Sequence, residues 1–138
     1  MLEARKEQKK VGKESWCIVA SSFRELIAYQ KAYQVALDLH NLTLGFPKFE
    51  HFELGSQLRR SSKSVATNIA EGYGRKANSS LADFKRFIRI ALASNDETRV
   101  HLDFCKDLGY INVETHSLYE NLCIETGKLL TSMLNWKF

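Results

Sequence analysis

Proline occurs once in this chain, at Pro47, and that scarcity is the tightest constraint on how the chain can fold. Proline and clustered glycine are the residues that break long helices. With 1 proline and 7 glycines among 138 residues, long helices meet little interruption and a turn-rich β architecture is disfavoured. The length suits one domain. Hydrophobic residues at 44% and charged residues at 26% give the balance of a globular protein.

The apolar residues recur at helical spacing in four stretches. Residues 1–22 are polar, lack a sustained apolar face and read as a flexible lead-in, with the bundle domain over 23–138. Ser22 is a candidate N-cap for a first helix whose apolar line is Phe23, Leu26, Ile27, Tyr33, Leu37 and Leu44. Gly45-Phe46-Pro47 stops it. A second helix is expected from Lys48 to Glu50 onward, lined by Leu54, Leu58, Val65 and Ile69 and ended by Gly72 and Gly74. Ser80-Leu81-Ala82-Asp83 fits a capping box and opens a third helix. Leu81, Phe84, Phe87, Ile88, Ala91, Leu92, Leu102 and Leu108 are its expected buried face, and Gly109 its end. Asn95 and Thr98 interrupt that stripe, which predicts a polar contact in the core or between subunits. Asn112 caps a fourth helix carried by Tyr119, Leu122, Leu129, Leu130, Met133 and Trp136. Short connections between long helices make neighbours antiparallel, so the expected fold is all-α, an antiparallel up-and-down four-helix bundle.

Charge is unevenly spread. The net +4 contains a basic middle: from Arg59 to Arg99 there are nine basic and four acidic residues, while 23–58 is near −1 and 100–138 near −2. A basic face favours a polyanion; a solvated bundle surface is the plainer alternative. No apolar run approaches the ~18–20 residues needed to span a bilayer, and Trp16 to Ala20 is too short for a secretion signal, so no membrane and a cytoplasmic location are expected. Cys17, Cys105 and Cys123 are scattered, odd in number and without a C-x-x-C pair, as idle thiols would be.

Within the second helix, Ser61, Ser62, Ser64, Ala66, Thr67 and Ala70 crowd together, and small residues at this density let a neighbouring helix approach closely. The segment FPKFEHFELGSQLRRSSKSVATNIAEGYGR resembles the hallmark of the four-helix bundle proteins encoded in intervening sequences of bacterial large-subunit (23S) ribosomal RNA genes. The resemblance rests on Gln57, Leu58, Arg59, Arg60, Ser64, Val65, Asn68, Ile69, Glu71, Gly72, Gly74 and Arg75, and extends to Glu97 and to Leu108-Gly109-Tyr110. One departure is Ala93-Ser94-Asn95, where the family usually has a Gly-Ser pair followed by an apolar residue. The resemblance implies a four-helix bundle, a homo-oligomer in the form of a pentameric ring, and no settled biochemical activity. A distant relative with the same bundle, the accessory protein of diversity-generating retroelements, partners a reverse transcriptase and binds nucleic acid, which makes RNA or DNA a possible partner here.

Three functions compete. An enzyme is not expected. No Glu-x-x-His pair of the di-iron kind occurs. Glu97 with His101 reads as an exposed ion pair, and His40, His51 and His116 lie apart from any clear ligand set, so neither metal nor cofactor is expected. Gly72-Tyr73-Gly74 lacks the third glycine and the preceding strand of a dinucleotide loop. Nucleic-acid binding would use Arg59, Arg60, Lys63, Arg75, Lys76, Lys85, Arg86 and Arg89 on phosphates and Tyr73 on a base. Against it, Arg59, Arg60 and Arg75 have a structural use, pairing with Glu71, Glu97 and helix ends. The third reading is an oligomeric adaptor or scaffold that contacts another protein, with Tyr29, Tyr33, Phe49 and Phe52 as candidate anchors.

Overall fold

The computed structural model describes residues 22–76 and 80–137; the lead-in expected over 1–22 falls almost wholly outside them. Four long helices carry the chain: α1 (Ile27–Thr43), α2 (Leu54–Lys76), α3 (Leu81–Asp107) and α4 (Val113–Met133). Each packs on the next, and α4 returns to α1, closing an up-and-down four-helix bundle. Among the described residues there is no strand, and no helix is long and apolar enough to cross a membrane.

Helix boundaries follow local chemistry. Ser22 caps a 3-10 turn, Phe23–Glu25, and Leu26 is extended, so α1 begins only at Ile27. The expected start of the second helix is a separate turn, Lys48–His51, and α2 proper begins at Leu54. Ser80 accepts from the Asp83 amide, as a cap should. The reciprocal half of the box does not form: the Ser80 amide donates to the Arg75 carbonyl, and the Asp83 carboxylate faces Arg86 at 3.6 Å. At the other end of α3, Gly109 takes φ 80°, a conformation that only glycine enters cheaply. The Gly109 amide then bonds to the Lys106 carbonyl and the Tyr110 amide to that of Cys105, a Schellman closure. Asn112 accepts from the Thr115 amide to start α4.

Two expectations about faces are corrected. The buried line of α1 is Ala28, Ala32, Val35, Ala36 and Leu39, while Ile27, Tyr33, Leu37 and Leu44 are exposed. Leu108 is likewise exposed, because the chain turns at Gly109 before it can reach the core. Gly72 and Gly74 do not end α2, which runs through both to Lys76. Gly72 is there for another reason. A Cβ on it would stand 3.2 Å from the Phe87 Cβ and 3.3 Å from the Phe84 carbonyl, so α2 and α3 touch nearly backbone to backbone.

The core has two apolar lobes. One gathers Leu26, Val65, Ile69, Phe84, Ile88, Leu130 and Trp136, with the Phe84 and Trp136 rings stacked 5.7 Å apart. The other gathers Val35, Leu39, Leu54, Leu58, Leu102, Cys105 and Cys123. Between them lies a polar waist of Ser61, Ser62, Ser94, Asn95, Thr98 and Thr126, all buried. Thr98 Oγ1 is 2.9 Å from both the Ser61 hydroxyl and the Ser94 carbonyl, and the Ser64 and Ser94 hydroxyls are 2.9 Å apart. Asn95, 4% exposed, donates to the Cys123 carbonyl at 2.8 Å. The polar break is therefore a contact inside one chain.

Burial pushes the Cys105 thiol up to about 12, helped by Glu50, and the Cys123 thiol up to about 12, helped by Glu120. Burial also raises the Tyr110 and Tyr119 hydroxyls. All four groups hold protons in the folded chain that the unfolded chain releases earlier. Stability is therefore complete below the unfolded thiol value and declines as pH rises from about 9 toward 12. Urea midpoints at increasing alkaline pH will show that decline, and it will be shallower in a Cys105→Ala/Cys123→Ala chain. Gly72→Leu will lower unfolding stability by about 1–3 kcal/mol, because its side chain must enter a closed seam; urea denaturation measures the loss.

Candidate nucleic-acid interface

The outward row of α1 and the outward row of α2 enclose a cleft of about 900 Å³. From α1 and the turn before it come Phe23, Tyr29, Tyr33 and Leu37; from α2 come Lys63, Thr67, Glu71 and Arg75. The cleft exists because α1 turns alanines inward. Ala28, Ala32 and Ala36 draw α1 against the bundle, so its bulky side chains at intervening positions stand out along the groove. Tyr29 and Tyr33, one turn apart, are stacked at 5.8 Å with an interplanar angle of 26°, and Phe23 meets Tyr29 edge-on at 5.0 Å. Tyr33 is 49% exposed. At mid-length, Lys63 donates to His40 Nδ1 at 3.1 Å across the cleft.

The eight basic residues singled out from the sequence do not form one patch. Lys63 and Arg75 line the cleft, and Arg60 is exposed on α2. From Arg60 to Arg75 the row runs about 22 Å at ~1.5 Å per residue. Arg75 and Arg86 flank one ring, with their guanidinium carbons 5.5 and 4.6 Å from the Phe87 centroid, which ties the end of α2 to the start of α3. Lys76 sits over Tyr73 at 5.0 Å, so that ring already carries a cation. Lys85 is half-buried and Arg89 exposed on α3. Arg59 is committed inside the chain. It donates to the Thr43 hydroxyl and to the His51 carbonyl, each at 2.8 Å, and so secures the end of α1 and the turn after it.

Asn68 and Ser64, among the polar residues of the α2 stretch that carry the family resemblance, serve the fold. Asn68 donates to the Ser64 carbonyl and hydroxyl at 2.8 and 3.0 Å, in mid-helix and away from the α2 end. No ion pair joins Glu71 to Arg75 among the described residues; Arg75 uses Phe87 instead. Gln57 and Gly74 are exposed. Glu97 and His101 do pair, at 3.3 Å.

Tyr29, Tyr33 and His40 are cleft residues that sequence reasoning did not assign to nucleic acid. The available signal was the alanine row of α1: three alanines at four-residue spacing mark the face that packs closely, which leaves the tyrosines outside. A second group was also missed. His116 lies 2.7 Å from Asp103, and Glu120 accepts from the Arg99 guanidinium at 2.7 and 3.0 Å. The Glu120 hydrogen bond, with the nearby charges of Glu120 and Asp96, raises the Arg99 pKa.

A solved structure with this architecture comes from Bacteroides thetaiotaomicron, a protein of the S23 ribosomal protein family described as having unknown function. It is 29% identical, superposes with a TM-score of 0.68, and the match covers 78% of this chain and 95% of that one. No curated protein sequence matches the chain. The 23S rRNA-intervening sequence protein pattern matches residues 24–132, a span that holds nearly all of the four helices and every residue of the α1–α2 cleft except Phe23; the chain belongs to the 23S rRNA-intervening sequence protein family.

Proposed function

We propose that this chain is a non-enzymatic, homo-oligomeric nucleic-acid-binding protein that holds a single strand along the α1–α2 cleft. One observation carries the reading: half-buried Tyr29 and exposed Tyr33 stack on each other and share a groove with Lys63 and Arg75. Single-strand binders combine these two elements, because every base has a face to stack and every nucleotide a phosphate to neutralise. Arg60 extends the basic row, and Arg86 with Lys76 extends it toward the α2–α3 end. Few groups are placed to read base edges, so sequence preference is weak. Support also comes from the names of the family and of the solved relative, which both refer to ribosomal components.

Self-association has a separate support. The outer face of α3 exposes Ile90, Val100, Phe104 and Leu108, at helical spacing, with Ala93 and Glu97 between them. Apolar rows of this kind on a folded surface mark contact sites. A row on α3 facing a different surface of the next copy gives a head-to-tail contact that closes as a ring, and a pentamer is the expectation the family resemblance carries. The same row favours the second reading, an adaptor or scaffold that docks another protein.

Two measurements test these proposals. In a salt titration of single-stranded RNA binding, log K will fall with log salt at a slope of about −0.7 per phosphate contact. Lys63→Ala/Arg75→Ala will flatten the slope by about 1.4, and Tyr33→Ala will weaken binding by about 1–3 kcal/mol. Binding indifferent to salt and to these changes would remove the cleft from consideration. In light scattering, the chain will run as a closed oligomer and Phe104→Glu will release monomers; a monomeric parent chain would sink the ring.

A further inference from the structure

We infer that Asp103, His116 and Glu120 form a binding site for a first-row divalent transition metal, zinc foremost, on the seam between α3 and α4. The three residues come from two helices: Asp103 from α3, and His116 with Glu120, one turn apart on the same face, from α4. One ligand atom from each lies within 4.8 Å of the other two. Around a tetrahedral cation with ligand bonds of ~2.0–2.1 Å, neighbouring ligand atoms stand about 3.3 Å apart. The set therefore needs to contract by at most about 1.5 Å, within reach of side-chain torsions.

A second observation points to a ligand. Glu120 Oε2 is buried and has no hydrogen-bond partner, although its other oxygen takes both bonds from Arg99. A buried carboxylate oxygen left unpaired is costly, and a cation at this position would satisfy it. The environment is also partly sheltered: the His116 side chain is 12% exposed and Glu120 23%, while Asp103 at 58% leaves a path from solvent. Arg99 holds Glu120 Oε1 with two hydrogen bonds and so fixes the carboxylate, the kind of outer support that metal-ligating groups receive.

The donor set selects the metal. One imidazole nitrogen with two carboxylate oxygens suits zinc and its first-row neighbours, whereas magnesium prefers oxygen ligands and retains water. Two carboxylates, a neutral imidazole and the Arg99 guanidinium sum to −1, so a dication is bound without leaving uncompensated negative charge. Three protein ligands leave one position for water. The bound ion would clamp α3 to α4 beside the turn at Gly109, at a site separate from the α1–α2 cleft.

Isothermal titration of the untagged, chelator-treated full chain with zinc chloride tests the assignment, in a Cys17→Ser background that removes a thiol outside the described residues. The expected result is one zinc per chain, an at least 10-fold loss of affinity in Asp103→Asn and in His116→Gln, and unchanged affinity in His101→Gln, which alters an i,i+4 His/Glu pair elsewhere on α3. Cobalt(II) should give visible absorption bands of low coordination number that Asp103→Asn abolishes. Asp103 is exposed enough for its variant to fold even where His116→Gln does not. Absence of zinc binding, or equal affinity in the parent and Asp103→Asn chains, or an equal loss in His101→Gln, overturns the proposal.

Discussion

The close approach of α2 to α3 sets the geometry of everything else. Gly72 lets the helices touch at one end, and the hydroxyls of Ser61, Ser64, Ser94 and Thr98 meet in mid-seam at 2.9 Å. A pair of apolar side chains would hold the axes farther apart; serine and glycine bring them together and exchange apolar area for hydrogen bonds worth about 0.5–1.5 kcal/mol each. With α2 and α3 fixed in this way, α1 and α4 have defined troughs to fill. On the far side of α3 the contacts are also polar and periodic. Asn95 reaches Cys123, Arg99 reaches Glu120 and Asp103 reaches His116, rung after rung at four-residue steps. A slide of α4 by one turn, about 5.4 Å, would break all three rungs and strand a half-buried arginine. Apolar lobes alone would resist that slide far less, since one leucine packs much like another.

Much of this was legible beforehand, and the misses have physical causes. Caps are local, so Ser80, Gly109 and Asn112 could be assigned from neighbours in sequence alone. The small-residue seam was legible because its composition is unusual. The inward face of α1 was not. Large apolar residues outvote alanines in any periodicity count, yet the trough beside α2 is narrow and takes the alanines. Gly72 read as a helix end because glycine is a poor helix former; a tertiary demand, space for Phe84 and Phe87, put it mid-helix instead. Arg59 could be suspected of a structural use, but its partners Thr43 and His51 are 16 and 8 residues away. His116 looked isolated for the same reason, since its neighbour Asp103 lies 13 residues upstream across a turn.

The candidate interface is a by-product of that packing. Once Ala28, Ala32 and Ala36 face inward, Tyr29 can only lean on the edge of the core and Tyr33 stands outside it, so both line a groove with the outer row of α2. The basic residues then divide by role. Arg59 braces the bundle, Arg86 grips Phe87 from α3, Arg75 meets the same ring while lining the cleft, Lys63 spans the cleft to His40, and Arg60 stands exposed on α2. A surface rich in arginine is thus only partly an electrostatic surface, and counting charges along the sequence overstates what a polyanion would meet.

The alanine face of α1 has one more consequence. A helix adheres to its bundle in proportion to the apolar area it buries, and α1 buries mainly alanines with Val35 and Leu39, against the leucine, isoleucine and phenylalanine faces of α2 and α3. Its amides should therefore exchange with solvent through a lower-energy local opening than those of α2 and α3. The wall that carries Tyr29 and Tyr33 is then more easily loosened than the α2–α3 seam it rests on. A strand lying across the cleft would bind α1 to α2 from outside and protect those amides from exchange, which couples occupancy of the groove to the rigidity of the helix that forms it.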